Sequence, residues 1–221
     1  MSTKPSADLG FTHRFKAGTD PAAPTLLLLH GTGGDENDLL PLGRAILPGA
    51  ALLSPRGKVL ENGMPRFFRR IAEGVFDQED LALRTRELAE FIDAAAENYR
   101  IDLSRLFAIG FSNGANIAAS VLLRFPEKLA GAILIRAMVP FIPKQAPDLR
   151  KKAVLLLSGR ADPIVPTDQV DELTDILKSA GANVSLHWEK AGHALTQSDV
   201  STAREWMKGR LKTGLVTASL L

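Results

Sequence analysis

Short apolar runs alternate along the chain with longer segments in which apolar residues recur every three or four positions. A short apolar run predicts a buried strand, and the longer spacing predicts a helix with one apolar face. Such alternation is typical of βα units, so we expect the α/β fold class, with a mainly parallel central sheet and helices on both faces. The predicted strands cover residues 11–16, 25–29, 51–54, 106–109, 131–135, 153–157 and 183–188, and the predicted helices cover residues 36–46, 80–99, 113–125, 167–180 and 198–208.

Two segments lack a clear period, residues 55–79 and the Pro-rich residues 136–152. A loop as long as the first is usually functional or partly structured in a compact domain. The second is too short to form an independent domain. Since no linker or internal repeat interrupts the pattern, we expect a single domain spanning residues 1–221, with an open site and no large lid domain.

The composition excludes several classes of protein. The 221 residues include no cysteine, which removes disulfides, thiolate metal sites and a cysteine nucleophile. The 27 basic and 25 acidic residues nearly balance, so there is no electrostatic footprint for nucleic acid. No apolar run approaches the roughly 20 residues of a membrane span, and residues 1–10 lack an apolar signal segment. We therefore expect a cytoplasmic protein with no membrane span and no nucleic-acid partner.

Residues 110–114, Gly-Phe-Ser-Asn-Gly, carry the strongest chemical signal in the sequence. They match G-x-S-x-G and stand between a predicted strand and a predicted helix, where a sharp turn can expose a nucleophilic serine. The N-terminus of the following helix favours developing negative charge. The structural alternative is a plain strand-to-helix turn with a capping serine. We expect Ser112 to be the nucleophile.

A serine hydroxyl needs a positioned base, and the base needs an acid that orients it. His193 follows the last predicted strand and Asp162 follows the strand before it, so both are expected at the same sheet edge as Ser112. The order serine, aspartate, histidine is that of α/β-hydrolases. An Asx turn before a proline is the structural alternative for the aspartate. Asp168 and Asp171 are rival acids, and His13, His30 and His187 are expected to pack, to face solvent or, for His30, to orient a loop.

An oxyanion hole needs two N–H groups near the reacting carbonyl. Asn113, directly after the expected nucleophile, should supply one of them. The loop 31–35 follows the first parallel strand, and Thr32 should supply the other, with Gly33 as the second choice. The glycines of this loop do not form a dinucleotide-binding G-x-G-x-x-G, because the last position is Glu36.

With these motifs the chain resembles the phospholipase/carboxylesterase family of the α/β-hydrolase superfamily, which includes acyl-protein thioesterases and small bacterial carboxylesterases. The resemblance implies the α/β-hydrolase fold, a triad of Ser112, Asp162 and His193, and an oxyanion hole formed by Thr32 and Asn113. The thioesterases usually carry glutamine where this chain has Asn113, and their oxyanion loop commonly reads G-x-G-D-[ST]. Residues 66–77 are similar to a bacterial carboxylesterase branch that includes hydrolases linked to quinone and hydroquinone resistance. The matching stretches are residues 29–34, 110–114, 158–166 and 192–193.

Together these residues predict a serine esterase that cleaves carboxylic esters of small or medium acyl groups through an acyl-enzyme, with a small-molecule ester as substrate. The predicted chemistry requires no metal and no cofactor. The alternatives are hydrolysis of acyl thioesters or lysophospholipids by the same machinery, and a non-catalytic binding protein on a hydrolase scaffold.

The walls of the site are expected to come from residues 55–79 and 138–143. The predicted substrate contacts are Gly33, Phe67, Phe68, Arg69 and Met138. Met64 and Phe76 are further candidates for an acyl pocket, and core packing is the alternative for these apolar side chains. Arg56, Arg66, Arg69 and Arg70 could contact an anionic substrate group or form ion pairs with Glu73, Asp77 or Glu79. The apolar tail, residues 211–221, predicts packing on its own domain or a contact in a homodimer.

Overall fold

A seven-stranded sheet lies at the centre of the protein, whose computed structural model describes residues 9–218, with side chains through residue 211. Six of its strands run parallel, and only the first strand of the chain pairs in the antiparallel direction. The strands of the described chain are β1 (His13–Lys16), β2 (Thr25–Leu29), β3 (Ala51–Pro55), β4 (Val59–Glu61), β5 (Met64–Arg66), β6 (Arg70–Ala72), β7 (Val75–Phe76), β8 (Leu106–Phe111), β9 (Gly131–Ile135), β10 (Ala153–Gly159) and β11 (Asn183–Glu189). The order in the central sheet is β1-β3-β2-β8-β9-β10-β11.

Five α-helices accompany the strands in the described residues, as the periodicity predicted: α1 (Leu40–Ile46), α2 (Gln78–Tyr99), α3 (Asn113–Arg124), α4 (Thr167–Ser179) and α5 (Gln197–Ala218). Helix α1 begins later than predicted because Asp35 closes a turn, its carboxylate accepting from the Asn37 N–H at 2.7 Å. Helix α5 continues ten residues beyond the predicted end at residue 208. The apolar tail, residues 211–221, was predicted to pack on its own domain or in a homodimer. Leu211 packs against the core, and the side chains of residues 212–221 lie outside the described part of the structure.

Alternating side chains of each central strand divide between two hydrophobic layers. In β2, Leu27 and Leu29 face the layer that contains the buried residues of α2, α3 and α4. Leu26 and Leu28 face the opposite layer, which contains the buried residues of α1 and α5. The sheet is therefore covered by helices on both faces, which confirms the predicted fold class.

The parallel strands bring their carboxyl ends to one edge of the sheet. Gly110 in β8 is in register with Leu29 in β2 and Leu134 in β9, so the three strands end at nearly the same level. Gly159, the last residue of β10, likewise pairs with Glu189 at the end of β11. The segments that follow these strands therefore converge, and they contain all three residues of the expected triad.

Residues 55–79 form two hairpins, although the sequence showed no period there. Strand β4 pairs with β5, and β6 pairs with β7. Asn62 and Gly63 connect the first pair with φ values of 51° and 80°, which a tight hairpin turn requires. The strands are only two or three residues long, too short for apolar alternation to reveal them.

Between β9 and β10, residues 136–152 contain neither a helix nor a strand. No lid domain is inserted at this point of the described chain. None of the helices within residues 9–218 combines the length and apolar character that crossing a lipid bilayer requires.

Candidate active site

Ser112 stands at a sharp turn between β8 and α3. Its φ of 52° lies in the left-handed region, which is unfavourable for a residue with a side chain. Two backbone hydrogen bonds hold this turn: the Ser112 N–H donates to Ile135 O at 2.8 Å, and the Asn116 N–H donates to Ser112 O at 3.0 Å. A Cβ on Gly114 would lie 2.0 Å from Leu29 O, so only glycine allows α3 to start so close to β2. The hydroxyl is thereby presented at the carboxyl edge of the sheet.

His193 lies between Ser112 and Asp162. Its Nε2 is 2.9 Å from Ser112 Oγ, and its Nδ1 is 2.8 Å from Asp162 Oδ2. With the proton on Nδ1, the imidazole donates to the carboxylate and accepts from the hydroxyl. The Asp162 side chain is almost fully buried and the His193 ring is one-fifth exposed, so the ring can reach a bound molecule. This arrangement can transfer a proton from the serine to the histidine.

The Asx turn weighed for Asp162 is also present. Its Oδ1 accepts from the N–H groups of Ile164 at 2.8 Å and Val165 at 3.1 Å, while Oδ2 faces His193. The two bonds of the turn and the bond to His193 together fix the carboxylate. The two rival acids, Asp168 and Asp171, are exposed on α4, where Asp168 accepts from the Gln169 N–H.

The other three histidines have partners away from Ser112. His13 contacts Phe11 O and the Tyr99 hydroxyl, and His187 pairs with Glu189 at the exposed edge strand. His30 is buried and contacts Gly31 O at 2.7 Å through Nδ1, while its Nε2 accepts from the Gly57 N–H at 2.9 Å. Burial lowers the pKa of His30. A neutral ring is also what the acceptor role of Nε2 requires.

The N–H groups of Thr32 and Asn113 make no hydrogen bond within the described part of the chain. Both residues line the same cavity as Ser112, as the predicted oxyanion hole requires. Gly33 differs, because its N–H donates to Pro65 O at 2.9 Å. The second choice for an oxyanion donor is therefore already occupied.

The first hairpin, β4–β5, and the residue that follows it contact the side chains of both predicted oxyanion residues, Thr32 and Asn113. Arg66 Nη1 donates to Thr32 Oγ1 at 2.9 Å, and the Phe67 N–H donates to Asn113 Oδ1 at 2.7 Å. Arg66 is buried, which lowers its pKa, and its ion pair with Glu61 at 3.2 Å opposes that shift. The Asn113 Nδ2 is buried without a hydrogen-bond partner among the described residues. The asparagine that replaces the thioesterase glutamine thus links the nucleophile turn to the hairpin.

A cavity of about 200 Å³ opens beside Ser112. One part of its wall is apolar and includes Phe111, Val165 and the predicted contact Met138. The polar part of the wall is formed by Thr32, Arg66, Arg70, Glu73, Ser112, Asn113, Asn116, Arg136 and His193. Gly74, Phe76 and Ile164 complete the lining.

Four predicted substrate contacts do not line this cavity. Phe67 and Phe68 are buried in the hydrophobic core, where Phe67 packs on His30 and Phe68 packs on Phe76. Arg69 is exposed and pairs with Asp77 at 3.0 Å. Gly33, within the loop 31–35, lies against Met64. The core-packing alternative is therefore correct for the two phenylalanines.

The arginines of the hairpin segment are ion-paired, mostly with other acids than predicted. Arg56 pairs with Glu36 at 2.5 Å, and Arg66 and Arg70 share Glu61. Only the pairing of Arg69 with Asp77 was predicted. Because Glu61 is the last residue of the hairpin strand β4, its role depends on a fold element that the sequence did not predict.

Three residues near the site were not singled out from the sequence. Asn116 Oδ1 accepts from the Met138 N–H at 2.9 Å and so fixes one wall of the cavity. Arg136 and Asp199 form a fully buried ion pair behind His193. A single arginine inside the apolar run 129–143 was the available signal, because a buried charge requires a partner. In the described part of the chain, no group of three or more histidines and acids could hold a metal ion.

Comparison with known proteins gives a consistent set of relatives. The sequence profile of the Phospholipase/Carboxylesterase family matches residues 12–210. MhqD of Bacillus subtilis (strain 168) is 50% identical over 196 residues, which make up 89% of this chain and 97% of MhqD. The crystal structure of the Bacillus cereus carboxylesterase has a TM-score of 0.90 at 50% identity, covering 92% of this chain and 96% of that one. A carboxylesterase from Mesorhizobium loti has a TM-score of 0.87 at 33% identity, covering 92% and 97%.

Proposed function

Because this chain belongs to the phospholipase/carboxylesterase family of α/β-hydrolases, we propose that it hydrolyses carboxylic esters of small acyl groups with Ser112, His193 and Asp162 as catalytic triad. This proposal rests on two consecutive hydrogen bonds, from Ser112 Oγ to His193 Nε2 at 2.9 Å and from His193 Nδ1 to Asp162 Oδ2 at 2.8 Å. The substrate is a small molecule, and the whole site is built within a single domain.

In the first half of the reaction, Ser112 Oγ attacks the carbonyl carbon of the ester while its proton moves to His193 Nε2. Asp162 stabilises the imidazolium that forms and keeps its ring oriented. The carbonyl oxygen becomes an oxyanion, and the N–H groups of Thr32 and Asn113 donate to it. When the tetrahedral intermediate collapses, His193 returns the proton to the leaving alkoxide, and an alcohol departs from the acyl-enzyme.

In the second half, a water molecule takes the place of the alcohol. His193 accepts a proton from this water, whose oxygen attacks the acyl carbon of the Ser112 ester. Collapse of the second tetrahedral intermediate breaks the bond to Ser112 Oγ, which regains its proton from His193. The carboxylic acid leaves and the enzyme returns to its starting state.

Steady-state hydrolysis of p-nitrophenyl acetate by Ser112→Ala tests the proposal. We expect kcat to fall by about 10⁴-fold or more, because the variant lacks the nucleophile while the remaining site only polarises the ester. The melting temperature should change little. Ser158→Ala is the matched control: this serine is buried at the end of β10 and its hydroxyl has no partner within the described residues, so its removal should leave kcat unchanged.

A Ser112→Ala variant that turns over at the wild-type rate would contradict the proposal. So would an equal loss in Ser158→Ala, because it would show that any serine lost from this edge of the sheet impairs the enzyme.

A further inference from the structure

A buried ion pair lies directly behind the loop that carries His193. Arg136 follows β9 and Asp199 lies in the first turn of α5, 63 residues away in sequence. Both side chains have no exposed surface, and the guanidinium contacts both carboxylate oxygens, at 3.0 Å and 2.7 Å. Neither residue has a role in the reaction steps described above.

The guanidinium also holds the main chain on both sides of His193. Arg136 Nε donates to Gly192 O at 3.0 Å, and Nη2 donates to Ala194 O at 3.1 Å. Nη1 donates to Leu157 O at 3.0 Å, near the end of the strand that leads to Asp162. Together with the two bonds to Asp199, these contacts use all five N–H groups of the arginine.

Asp199 extends this connection to the far end of the loop. Its Oδ2 accepts from both the N–H and the hydroxyl of Thr196, each at 2.8 Å. At the other end of the connection, the backbone oxygen of Ile135 accepts from the Ser112 N–H. The next residue is Arg136, whose guanidinium contacts the loop of His193, so two consecutive residues contact the turn of Ser112 and this loop.

We propose that the Arg136–Asp199 pair is a positioning device that keeps His193 within hydrogen-bonding distance of both Ser112 and Asp162. This inference rests on the proposed triad. Stability alone is a weak reason to bury an ion pair, because the loss of hydration offsets much of the attraction. A displacement of about 1 Å in a catalytic group can cost about 100-fold in rate, so a rigid support for the imidazole has a direct effect on turnover.

Arg136→Lys provides the sharpest test, because lysine differs from arginine in the number and geometry of its donors. It keeps the positive charge but has three N–H donors on one flexible ammonium, so it cannot reach both loop carbonyls and both carboxylate oxygens together. Asp199→Asn is the second variant, because it keeps the shape of the side chain and removes its charge. Arg84→Lys is the matched control, since Arg84 pairs with the buried Asp80 at 3.2 Å on α2 and contacts no active-site residue.

The experiment compares kcat and KM for p-nitrophenyl acetate at a temperature well below the melting point of each variant. We expect Arg136→Lys and Asp199→Asn to lower kcat by about 10- to 100-fold while KM stays nearly constant, because the base is displaced and the substrate contacts remain. Labelling by a fluorophosphonate should slow in parallel. The low-field NMR signal of the His193 Nδ1 proton should weaken or shift. Arg84→Lys should match the wild type in all three measurements.

Several results would overturn the inference. These are a wild-type kcat in folded Arg136→Lys and Asp199→Asn, a raised KM with unchanged kcat, and an equal loss of kcat in Arg84→Lys. If neither variant folds, the pair is a structural element and the inference also fails. An error in the proposed triad would give a different result, because Ser112→Ala would then keep full activity.

Discussion

Ser112 and Arg136 are both non-glycine residues with positive φ, 52° and 57°, and each directly follows one of two neighbouring strands. A conformation of this kind costs about 1–3 kcal/mol and persists only where the surroundings hold it. The Ser112 N–H donates to Ile135 O and the Arg136 N–H donates to Leu157 O, each at 2.8 Å. Each unfavourable turn is thus fixed by the next strand of the sheet. Two of the four non-glycine residues with positive φ in the described chain thus lie at the proposed nucleophile and at the proposed support of the base.

Residues with a local sequence signature could be predicted, and residues defined by distant partners could not. Ser112 was predicted from five consecutive residues, and Asp162 and His193 from their positions after strands, and the three side chains do lie within hydrogen-bonding distance. Phe67 was assigned to the pocket because aromatic residues suit either environment, and only its packing against His30 decides between them. Arg136 was overlooked because Asp199 is 63 residues away.

At Asn113, the side chain and the main chain have separable effects. Asn113→Ala keeps the N–H proposed for the oxyanion hole but leaves the buried Phe67 N–H without its acceptor. An unsatisfied buried donor costs about 1–3 kcal/mol, so the free energy of unfolding in urea should fall by that amount. We expect only about a tenfold loss in kcat, since the donor itself remains but is held less firmly.

Asn37→Ala controls for this substitution, because Asn37 is exposed and its side chain contacts only surface groups. It should change the free energy of unfolding by less than about 0.5 kcal/mol. Equal stability of Asn113→Ala and the wild type would show that the bond to Phe67 contributes nothing.

At the scale of elements, the first of the two hairpins, β4–β5, supports the loop 31–35 beside Ser112. Pro65, Arg66 and Phe67 each make one hydrogen bond to this loop or to the nucleophile turn. The pair Asn62-Gly63 is a strong hairpin signal and could have revealed the first hairpin. The contacts of its strands could not be predicted, because they depend on how the hairpin docks on the sheet edge.

His30 makes the stability of the folded protein sensitive to pH. Burial lowers its pKa, so the folded protein binds this proton less readily than the unfolded chain, where the pKa is about 6.5. The stabilising contribution is therefore complete above pH 6.5 and is lost as pH falls below that value, by up to about 1.4 kcal/mol per pH unit. Protonation of Nε2 also removes the acceptor for the Gly57 N–H.

Urea unfolding of the wild type and of His30→Gln, measured between pH 7.5 and pH 5.5, isolates this contribution. Glutamine stays neutral across the range, and all other titrating groups are common to both proteins. We expect any stability advantage of the wild type to shrink as the pH falls. A constant difference across the range would mean that His30 keeps its ordinary pKa in the folded protein.

At the scale of the whole molecule, the parallel sheet explains why the sequence could predict that Ser112, Asp162 and His193 lie together. Three strands with their carboxyl ends at one edge bring together residues separated by 31 and 81 positions in the chain. The order of strands along the sequence was enough for this prediction. The volume of the cavity could not be predicted, because it depends on how loops from several strands meet at that edge.

The size of this cavity predicts a small acyl group. Its volume of about 200 Å³ is below the 300–1,000 Å³ usual for ligand pockets. We expect kcat/KM for p-nitrophenyl acetate and butyrate to exceed that for the palmitate ester by at least about tenfold. A matching series of acyl thioesters tests the thioesterase alternative, which would be favoured by a higher kcat/KM for thioesters at every chain length. A maximum at palmitate would contradict a small acyl site.

The central claim, that Ser112 is the nucleophile activated by His193, is tested most directly by locating the covalent intermediate. The enzyme is treated with a fluorophosphonate ester, and the modified peptide is identified by mass spectrometry. We predict one phosphonyl group per chain, bound to Ser112, with loss of esterase activity in proportion to labelling and with slower labelling in His193→Ala. Inactivation with the label on another residue, or full activity after Ser112 is labelled, would contradict the claim.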